Sequence, residues 1–302
     1  MLFVGLATLD VIHLVERLPA PDEKLTSLAR FLAAGGPAAG AAVTCAALGG
    51  RATLATALGA GPVARIVRDD LTRLGVEIFD VGPELADPAV SSVLVLPDGT
   101  RTVVGSDAAG TDVPAPARLD ELVRGADAVL VDGHHPRLAL AAARAAHELH
   151  RPCVLDAGRW KPGMAELLPL VSDLVASADF AAPESAVVKV PTQVTTAGPG
   201  PVRWRAGRSS GQVAVPPVGG GDAGGIRDTL GAGDAFHGAY ALALACRASL
   251  EARIRFAIRV AGLRCASLGP RDWLGGVRQA CDTLIEDICG ETPERSGGGN
   301  DG

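Results

Sequence analysis

Short apolar runs alternate with longer amphipathic stretches along most of the chain, and this alternation predicts its secondary structure. The runs "LFVGL" near residue 2, "ADAVLVDG" near residue 126 and "PCVLDAG" near residue 152 are typical of buried strands. Between them lie helical patterns such as "PAAGAAVTCAALGG" and "PRLALAAARAAHELH". Strands and helices that alternate in this order form a mostly parallel sheet covered by helices.

Two further patterns add a hairpin and two helices to this sheet. "SSVLVLPDGTRTVVGS" predicts two strands joined at Asp98-Gly99, a residue pair that favours hairpin turns. "LEARIRFAIRVAGLRCASLG" and "WLGGVRQACDTLIEDICG" predict two long helices late in the sequence. The polar residues 291–302 that follow them are predicted to be disordered.

Composition limits what kind of protein this is. The 302 residues are 48% hydrophobic but only 3% aromatic, which indicates a sizeable core made largely of Ala, Val and Leu. That length suits one large α/β domain or two modest ones. The net charge of -6 leaves no basic surface for nucleic acid, so we expect no nucleic-acid partner.

Cysteine usage and hydropathy indicate the compartment. The six cysteines are scattered and form no C-x-x-C pair, which gives no support to a zinc or redox motif and favours a reducing environment. The first residues lack the basic stretch and cleavage site of a signal peptide, and no run is apolar enough for a bilayer. We therefore expect a cytoplasmic protein with no membrane partner.

The segment "DTLGAGDAFHGAYALALAC", from Asp228 to Cys246, carries the strongest candidate chemistry. Gly231, Ala232 and Gly233 precede Asp234 at the predicted start of an apolar helix, where unpaired amides form an anion site. Amides that hold a phosphoryl group beside a carboxylate that takes a proton from a hydroxyl describe phosphoryl transfer to an alcohol. The alternative is structural, because acids in a first turn also complement the helix dipole.

The same segment resembles the C-terminal signature of the ribokinase-like (PfkB) family of carbohydrate kinases, and the other elements follow that family's order over about residues 1–290. The resemblance implies a ribokinase-like three-layer α/β/α fold with a mostly parallel central sheet and a small β-sheet lid. The β-ribbons of this lid, about residues 11–34 and 88–106, would be insertions in a single domain that spans residues 1–290. Within the family the chain is most similar to the sulfofructose kinase and ketohexokinase branches, which indicates a ketose or modified hexose.

The resemblance also implies roles for single residues. Asp234 would be the catalytic base, and the amides of Gly231, Ala232 and Gly233 would form the anion hole. Acceptor contacts would come from Asp10, Gly35 and Gly36, and Asp228 is similar to a residue that helps to hold a monovalent cation such as K⁺. The nucleotide would lie against residues from two loops, Thr195, Gly200, Thr229 and Gly233.

Several positions depart from the family pattern. Gly40 stands where most members carry an asparagine that contacts the sugar, and Ala197 replaces a glycine of the nucleotide loop. The N-x-x-E sequence linked to magnesium is not recognisable, and Asp179 is the nearest acid. The stretch between Ser177 and Thr195 is also short for the helix that the family has there.

Other polar residues have two interpretations each. His134 and His135 follow a predicted strand and either contact the acceptor or lie solvated in a loop, and we take His134 as the acceptor candidate. Arg159 and Lys161 either meet phosphate or are solvated, and we expect His237 to pack. Gly219 to Gly224 matches G-x-G-x-x-G, but no helix follows it directly, which argues against a dinucleotide site.

These observations predict an enzyme that phosphorylates a hydroxyl of a sugar or sugar-like molecule with ATP and Mg²⁺, the need for K⁺ being left open. The first alternative is a nucleoside kinase of the same fold, disfavoured by the scarcity of aromatics in the predicted lid. The second is a catalytically weak regulator that binds a sugar or nucleotide. Edge strands of the lid could also pair two subunits in a homodimer.

Overall fold

A computed structural model describes residues 1–105, 113–161, 163–218 and 225–278. The glycine run 219–224, most of the last predicted helix and the tail 291–302 lie outside these residues, as does residue 106 at the end of the second predicted ribbon. In the described part, no helix is both long and apolar enough to cross a membrane.

Strands and helices alternate along the chain, and the strands form one large sheet, as the sequence predicts. Within the described residues it has nine strands in the order β13-β12-β11-β10-β9-β8-β1-β4-β5, parallel from β5 to β11, with β12 and β13 added antiparallel. The strands of this main sheet are β1 Leu2–Val4, β4 Ala52–Thr56, β5 Val76–Asp80, β8 Val129–Val131, β9 Cys153–Ala157, β10 Asp173–Ser177, β11 Thr192–Ala197, β12 Gly200–Ala206 and β13 Ser209–Val213.

Helices cover both faces of the main sheet, which confirms the three-layer α/β/α architecture. Successive β1 residues point to opposite faces: Phe3 packs in one core, whereas Leu2 and Val4 pack in the other. The first core includes residues of α1, α2, α7 and α8, and the second includes residues of α3, α4 and α5. The helices are α1 Pro37–Ala47, α2 Pro62–Arg73, α3 Leu119–Arg124, α4 Pro136–Glu148, α5 Met164–Leu167, α6 Glu184–Val187, α7 Ala232–Ala245 and α8 Leu250–Cys265.

A second, four-stranded sheet forms the lid, in the order β3-β2-β6-β7. Its strands are β2 Thr8–Leu14, β3 Ala29–Gly35, β6 Val90–Val95 and β7 Arg101–Gly105. The outer pairs are antiparallel, and β2 and β6 run parallel between them. The first ribbon is longer than predicted at both ends, because Thr8 pairs with Gly35.

The short helices differ most from the sequence patterns. No pattern predicted α3, which has only six residues, and α5 is shorter than "GMAELLPLV" suggests before a 3₁₀ turn at Leu168–Leu170. Between Ser177 and Thr195 the structure has only the single-turn α6, in keeping with the short segment noted there. Residues 273–278 are helical up to the limit of the described chain.

Candidate active site

The start of α7 has the open backbone that an anion site requires. Gly231 precedes the helix in the left-handed conformation (φ 73°, ψ 8°), and no described side chain caps the first turn. Gly233 is exposed, and a Cβ added to it would meet no described heavy atom within 4 Å. The backbone at Gly231, Ala232 and Gly233 is therefore open to a ligand, as the sequence predicts.

Asp234 lies in the same first turn and lines two adjoining cavities. Burial raises its pKa well above the usual range, and the nearby carboxylates of Asp156 and Asp10 raise it further. A carboxylate with a raised pKa is a stronger base than an ordinary aspartate. This environment suits Asp234 to take a proton from a hydroxyl.

The larger cavity, about 300 Å³, lies between the lid and the main sheet. Such a volume is at the lower end of the range for small-molecule sites. Its lining includes sequence candidates from distant parts of the chain, Asp10, Gly36, His134, Gly231 and Asp234, and also Arg101, which no sequence pattern singled out. Of the other candidates, Gly35 and Gly40 line only the smaller of the two cavities, and Ala232 and Gly233 line neither.

Asp10 and the paired glycines fit together closely. Asp10 Oδ1 accepts a hydrogen bond of 2.7 Å from Thr8 Oγ1, and burial raises the pKa of Asp10 although Thr8 and Ser91 bind its charged form. A Cβ on Gly35 would lie 2.0 Å from Asp10 Oδ2. Gly36 has a φ of 94°, and its Cβ would lie 2.4 Å from the carbonyl oxygen of Leu6. Neither position has room for a side chain, which explains the glycine pair.

Gly40 leaves no space for the asparagine that most family members have there. A Cβ at this position would lie 2.6 Å from Asp234 Oδ2 and 2.7 Å from Asp234 Cβ. Next to it, a smaller cavity of about 60 Å³ is lined by Thr44, Arg271 and Trp273 as well as by Gly40 and Asp234. The carboxylate of Asp234 therefore lies directly against the α1 backbone.

His134 lines the larger cavity between a carboxylate and an ammonium group. Its backbone N–H donates to Asp132 Oδ1 at 2.9 Å, and Lys161 Nζ lies 2.9 Å from its ring Nε2. His135, by contrast, is buried with a φ of 53° at the start of α4, so the solvated-loop interpretation is wrong for it. The ammonium group of Lys161 is therefore connected to the larger cavity through the ring of His134.

Sequence reasoning missed the acids that end β8 and β9. Asp132, after β8, accepts hydrogen bonds from the amides of Leu6 (2.8 Å) and Ala38 (3.1 Å) and so joins β8 to the start of α1. Asp156, in β9, is buried, and its Oδ2 has no hydrogen-bond partner among the described residues. The sequence pattern that could have identified both is an acid at the carboxyl end of a buried strand, because ligands bind at that end of the strands in such sheets.

His237 packs beneath the anion hole, as expected from sequence. One ring nitrogen, Nδ1, lies 2.7 Å from the carbonyl oxygen of Gly233 and 3.3 Å from Asp156 Oδ2. The other, Nε2, lies 3.1 Å from the carbonyl oxygen of Val175 on β10. His237 thereby ties the first turn of α7 to β10, inside the main sheet.

The lid hairpin docks on the segment before α7. Thr229 Oγ1 donates to the carbonyl oxygen of Gly99 at 2.8 Å and accepts a hydrogen bond of 2.8 Å from Arg101 Nη1. Gly99 has a φ of 81°, and its Cβ would lie 3.0 Å from Ile226 Cγ2. The hydroxyl of Thr229, a residue expected on the nucleotide side, is thus bound to the lid.

Asp228 has a partner other than the expected cation. Its Oδ1 accepts from the amide of Leu230 at 2.8 Å, and its Oδ2 lies 2.7 Å from Nη2 of Arg264. Both side chains are almost fully buried. The carboxylate does not face free space.

The remaining nucleotide candidates lie further along the carboxyl edge. Thr195 lies near the end of β11, opposite Ala176 of the parallel neighbour β10, and Gly200 begins β12, opposite Ala197 of β11. Asp179 follows β10, is exposed, and its backbone N–H donates to Ser177 Oγ at 3.1 Å. In the described ranges, no three His, Cys, Asp or Glu residues are grouped to hold a metal ion.

Comparisons with known sequences agree with this geometry. The family model described as pfkB family carbohydrate kinase matches residues 1–274. The chain is 26% identical over 282 residues to the ribokinase of Bacillus subtilis (strain 168), covering 88% of this chain and 92% of that protein. It is 33% identical over 161 residues to the ATP-dependent ribose-1-phosphate kinase of Halopiger xanaduensis, covering 53% and 54%.

Solved structures share the whole architecture. One from Agrobacterium tumefaciens has a TM-score of 0.79 and 27% identity, covering 94% of this chain and 98% of that one. The ribokinase of Arabidopsis thaliana complexed with ribose and ATP has a TM-score of 0.71 and 21% identity over the same shares, a likeness of fold. Because the family model matches residues 1–274 of this chain, the chain belongs to the pfkB family of carbohydrate kinases.

Proposed function

We propose that this enzyme transfers the γ-phosphoryl group of ATP to a hydroxyl of a sugar bound in the larger cavity. The observation that carries the proposal is the position of Asp234, which lines the larger cavity and lies in the first turn of α7 beside Gly231. The acceptor hydroxyl would lie against this carboxylate. The phosphoryl group would lie against the amides of residues 231–233.

The residues then divide the reaction between them. Asp234 takes the hydroxyl proton as the acceptor oxygen bonds to phosphorus, and the bond to the departing ADP breaks. The amides of the first turn hold the phosphoryl oxygens, a contribution worth about 2.7–4 kcal/mol for each such donor. Asp10 accepts hydrogen bonds from other hydroxyls of the sugar and so orients it. The lid, bound through Thr229, excludes water from the transfer.

Magnesium fits this arrangement through water rather than through a dedicated cluster. Asp156 Oδ2 is a buried oxygen without a hydrogen-bond partner among the described residues, although His237 Nδ1 lies 3.3 Å away, and a metal-bound water would donate a hydrogen bond to it. When bound, the ion would neutralise charge on the phosphates. Exposed Asp179 has no such environment, so we assign it no role.

A sugar suits the larger cavity better than a nucleoside does. None of its described lining residues is Phe, Tyr or Trp, which leaves no large aromatic ring for base stacking. The names of the two sequence relatives favour ribose or a ribose phosphate as the acceptor, while the resemblance to the sulfofructose kinase and ketohexokinase branches favours a ketose. Arg101 and His134 also line this cavity and would contact the sugar. The built base at Asp234 also favours catalysis over a purely regulatory role.

The first experiment measures acceptor-dependent ADP release with ribose, ribose 1-phosphate, ketohexoses and nucleosides. We expect a sugar or sugar phosphate to give the highest kcat/KM. Asp234→Asn should lower kcat by at least about 10²-fold, the usual cost of losing a general base, with little change in the KM for ATP. Asp179→Asn, an exposed matched control, should keep the parent rate.

Three results would count against the proposal. If none of these acceptors leads to release of ADP, the protein would be a regulator, and a nucleoside as best substrate would select the alternative kinase. Near-normal turnover of Asp234→Asn would refute the base.

Three other predictions belong with this proposal. A homodimer through the lid is supported by β7, an outer strand whose five residues are all exposed, since unpaired strand edges are common sites of subunit pairing. A cytoplasmic location also stays a prediction. The single domain over 1–290 is a prediction as well.

A further inference from the structure

A buried ion pair lies directly behind the anion hole, at the place where the resemblance to the family suggests a monovalent cation. Asp228 is 1% exposed and Arg264 is 2% exposed. Arg264 Nη2 lies 2.7 Å from Asp228 Oδ2, a charge-assisted hydrogen bond with good geometry. Buried charges of this kind are kept only where each has a partner.

The guanidinium group of Arg264 contacts three parts of the site. It projects from the last turn of α8, and its Nη1 donates to the carbonyl oxygen of Ser267 at 3.2 Å. Its Nε lies 3.9 Å from the place where a Cβ of Gly231 would be. Arg264 therefore links the end of α8, the following turn and the start of α7.

The oxygens that a monovalent cation would use are the ones that this guanidinium occupies. Such an ion needs carboxylate and carbonyl oxygens around it, and here Asp228 Oδ2 and the Ser267 carbonyl accept from Arg264. A second positive charge at the same oxygens would lie within a few ångströms of the guanidinium, where repulsion in a buried site is strong. The residues present do not fit a monovalent cation.

We propose that Arg264 takes the place of that cation, so that this kinase works without a monovalent ion. Arg264 is a positioning residue: it holds Asp228, whose other oxygen accepts from the amide of Leu230, one residue before Gly231. The permanent charge thus fixes the turn that presents the anion hole. The kinetic part of this inference rests on the proposed function.

The unmodified enzyme gives the first test. Its melting temperature with a non-hydrolysable ATP analogue, and its rate of ADP formation, would be measured in KCl, NaCl and tetramethylammonium chloride at equal ionic strength. We expect rates within about twofold and no K⁺-specific rise in melting temperature. A several-fold activation by K⁺, or stabilisation by K⁺ alone, would overturn the proposal.

The second test removes the charge. In tetramethylammonium chloride, Arg264→Ala should lower kcat at least about tenfold, equivalent to about 1.4 kcal/mol, with the acceptor KM little changed. Millimolar guanidinium chloride or KCl should restore several-fold activity, and Arg264→Lys should keep most of it without added ion. A folded Arg264→Ala enzyme that no small cation restores, or one that retains full kcat, would refute the role of the charge.

Arg253 offers a matched control on the same helix. It pairs with buried Asp173 at 3.2 Å, away from the anion hole. Arg253→Ala should lower the melting temperature but leave kcat of the folded enzyme and its response to salts unchanged. An equal salt response in both variants would mean a general structural effect and would refute the proposal. If no acceptor yields ADP, the proposed function fails, whereas the melting temperatures still test the ion site.

Discussion

At the residue scale, the candidate base is defined by its neighbours. Desolvation raises the pKa of Asp234 most, followed by the like charges of Asp156 and Asp10. Because the base must be ionised to accept a proton, activity should rise with pH through this raised pKa. The pH dependence of the reaction thus reports on groups that do not touch the acceptor.

Asp156→Asn tests this coupling. Replacing the carboxylate by an amide of the same shape removes a negative charge that raises the pKa of Asp234. That pKa should fall, and the acid limb of the kcat/KM profile should move to lower pH. Asp179→Asn, whose side chain is exposed, should leave the limb in place. An unmoved limb in Asp156→Asn, or a shift to higher pH, would contradict this electrostatic link.

The sequence predicted the base and the backbone beside it but not the residues that hold them. Residues 228–234 form one contiguous motif, whose glycines and acid have a local physical reason. Asp132, Asp156 and Arg264 act through partners far away in the chain, such as Leu6 for Asp132. Their roles depend on which strand ends are neighbours, which no local pattern states.

At the element scale, α1 and α7 pack with almost no space between their backbones. A Cβ on Gly238, in the second turn of α7, would lie 2.4 Å from the carbonyl oxygen of Ala41 and 2.8 Å from Thr44 Cβ. Most residues of both helices are buried, and nearly all those of α1 are small. This contact holds Gly40 against Asp234, so helix spacing sets the position of the base.

Gly238→Ala should therefore destabilise the protein although alanine favours helices. The added methyl meets backbone atoms that cannot rotate away, and overpacking of this kind costs about 1–3 kcal/mol. Gly262→Ala on α8, where a Cβ would meet no described heavy atom within 4 Å, should instead stabilise by up to about 1 kcal/mol. Melting temperatures of the two variants should move in opposite directions, and an unchanged Gly238→Ala would argue against the close approach.

Long, strongly patterned elements were predicted well from the sequence. The apolar run of β9 and the helices α1, α4 and α8 lie where their patterns suggest. The six-residue α3 was missed because it is too short for a hydrophobic period to emerge.

At the scale of the whole molecule, the side chain of Thr229 joins the lid to the segment before the anion hole. Thr229 bonds both to the Gly99 carbonyl and to Arg101 on β7, so lid closure and the turn before α7 share an anchor. The layered architecture followed from alternation of strands and helices. The parallel pairing of β2 with β6 did not, since it joins segments separated by two main-sheet strands and two helices.

Thr229→Val keeps the shape of the side chain and removes both hydrogen bonds, each worth about 1 kcal/mol. We expect the acceptor KM to rise about 5- to 30-fold, the equivalent of 1–2 kcal/mol, with the ATP KM nearly unchanged. Thr53→Val, which loses only a surface bond of 3.2 Å to Glu77, is the control. A rise confined to the ATP KM would contradict this role in the lid and would indicate that Thr229 contacts the nucleotide, as the sequence suggests.

β1 lies inside the main sheet, with β4 on one side and β8 on the other, and this position has a consequence for biosynthesis. A nascent chain carries β1 and Asp10 out of the ribosome long before β8 exists to complete the sheet, and longer still before α7 delivers the base. Contacts this distant in sequence form slowly, so the segments that are synthesised first stay unpaired until the strands and helices that they contact have been made. Catalysis can begin only when translation has passed α8, so a shortened product would be inert rather than partly active.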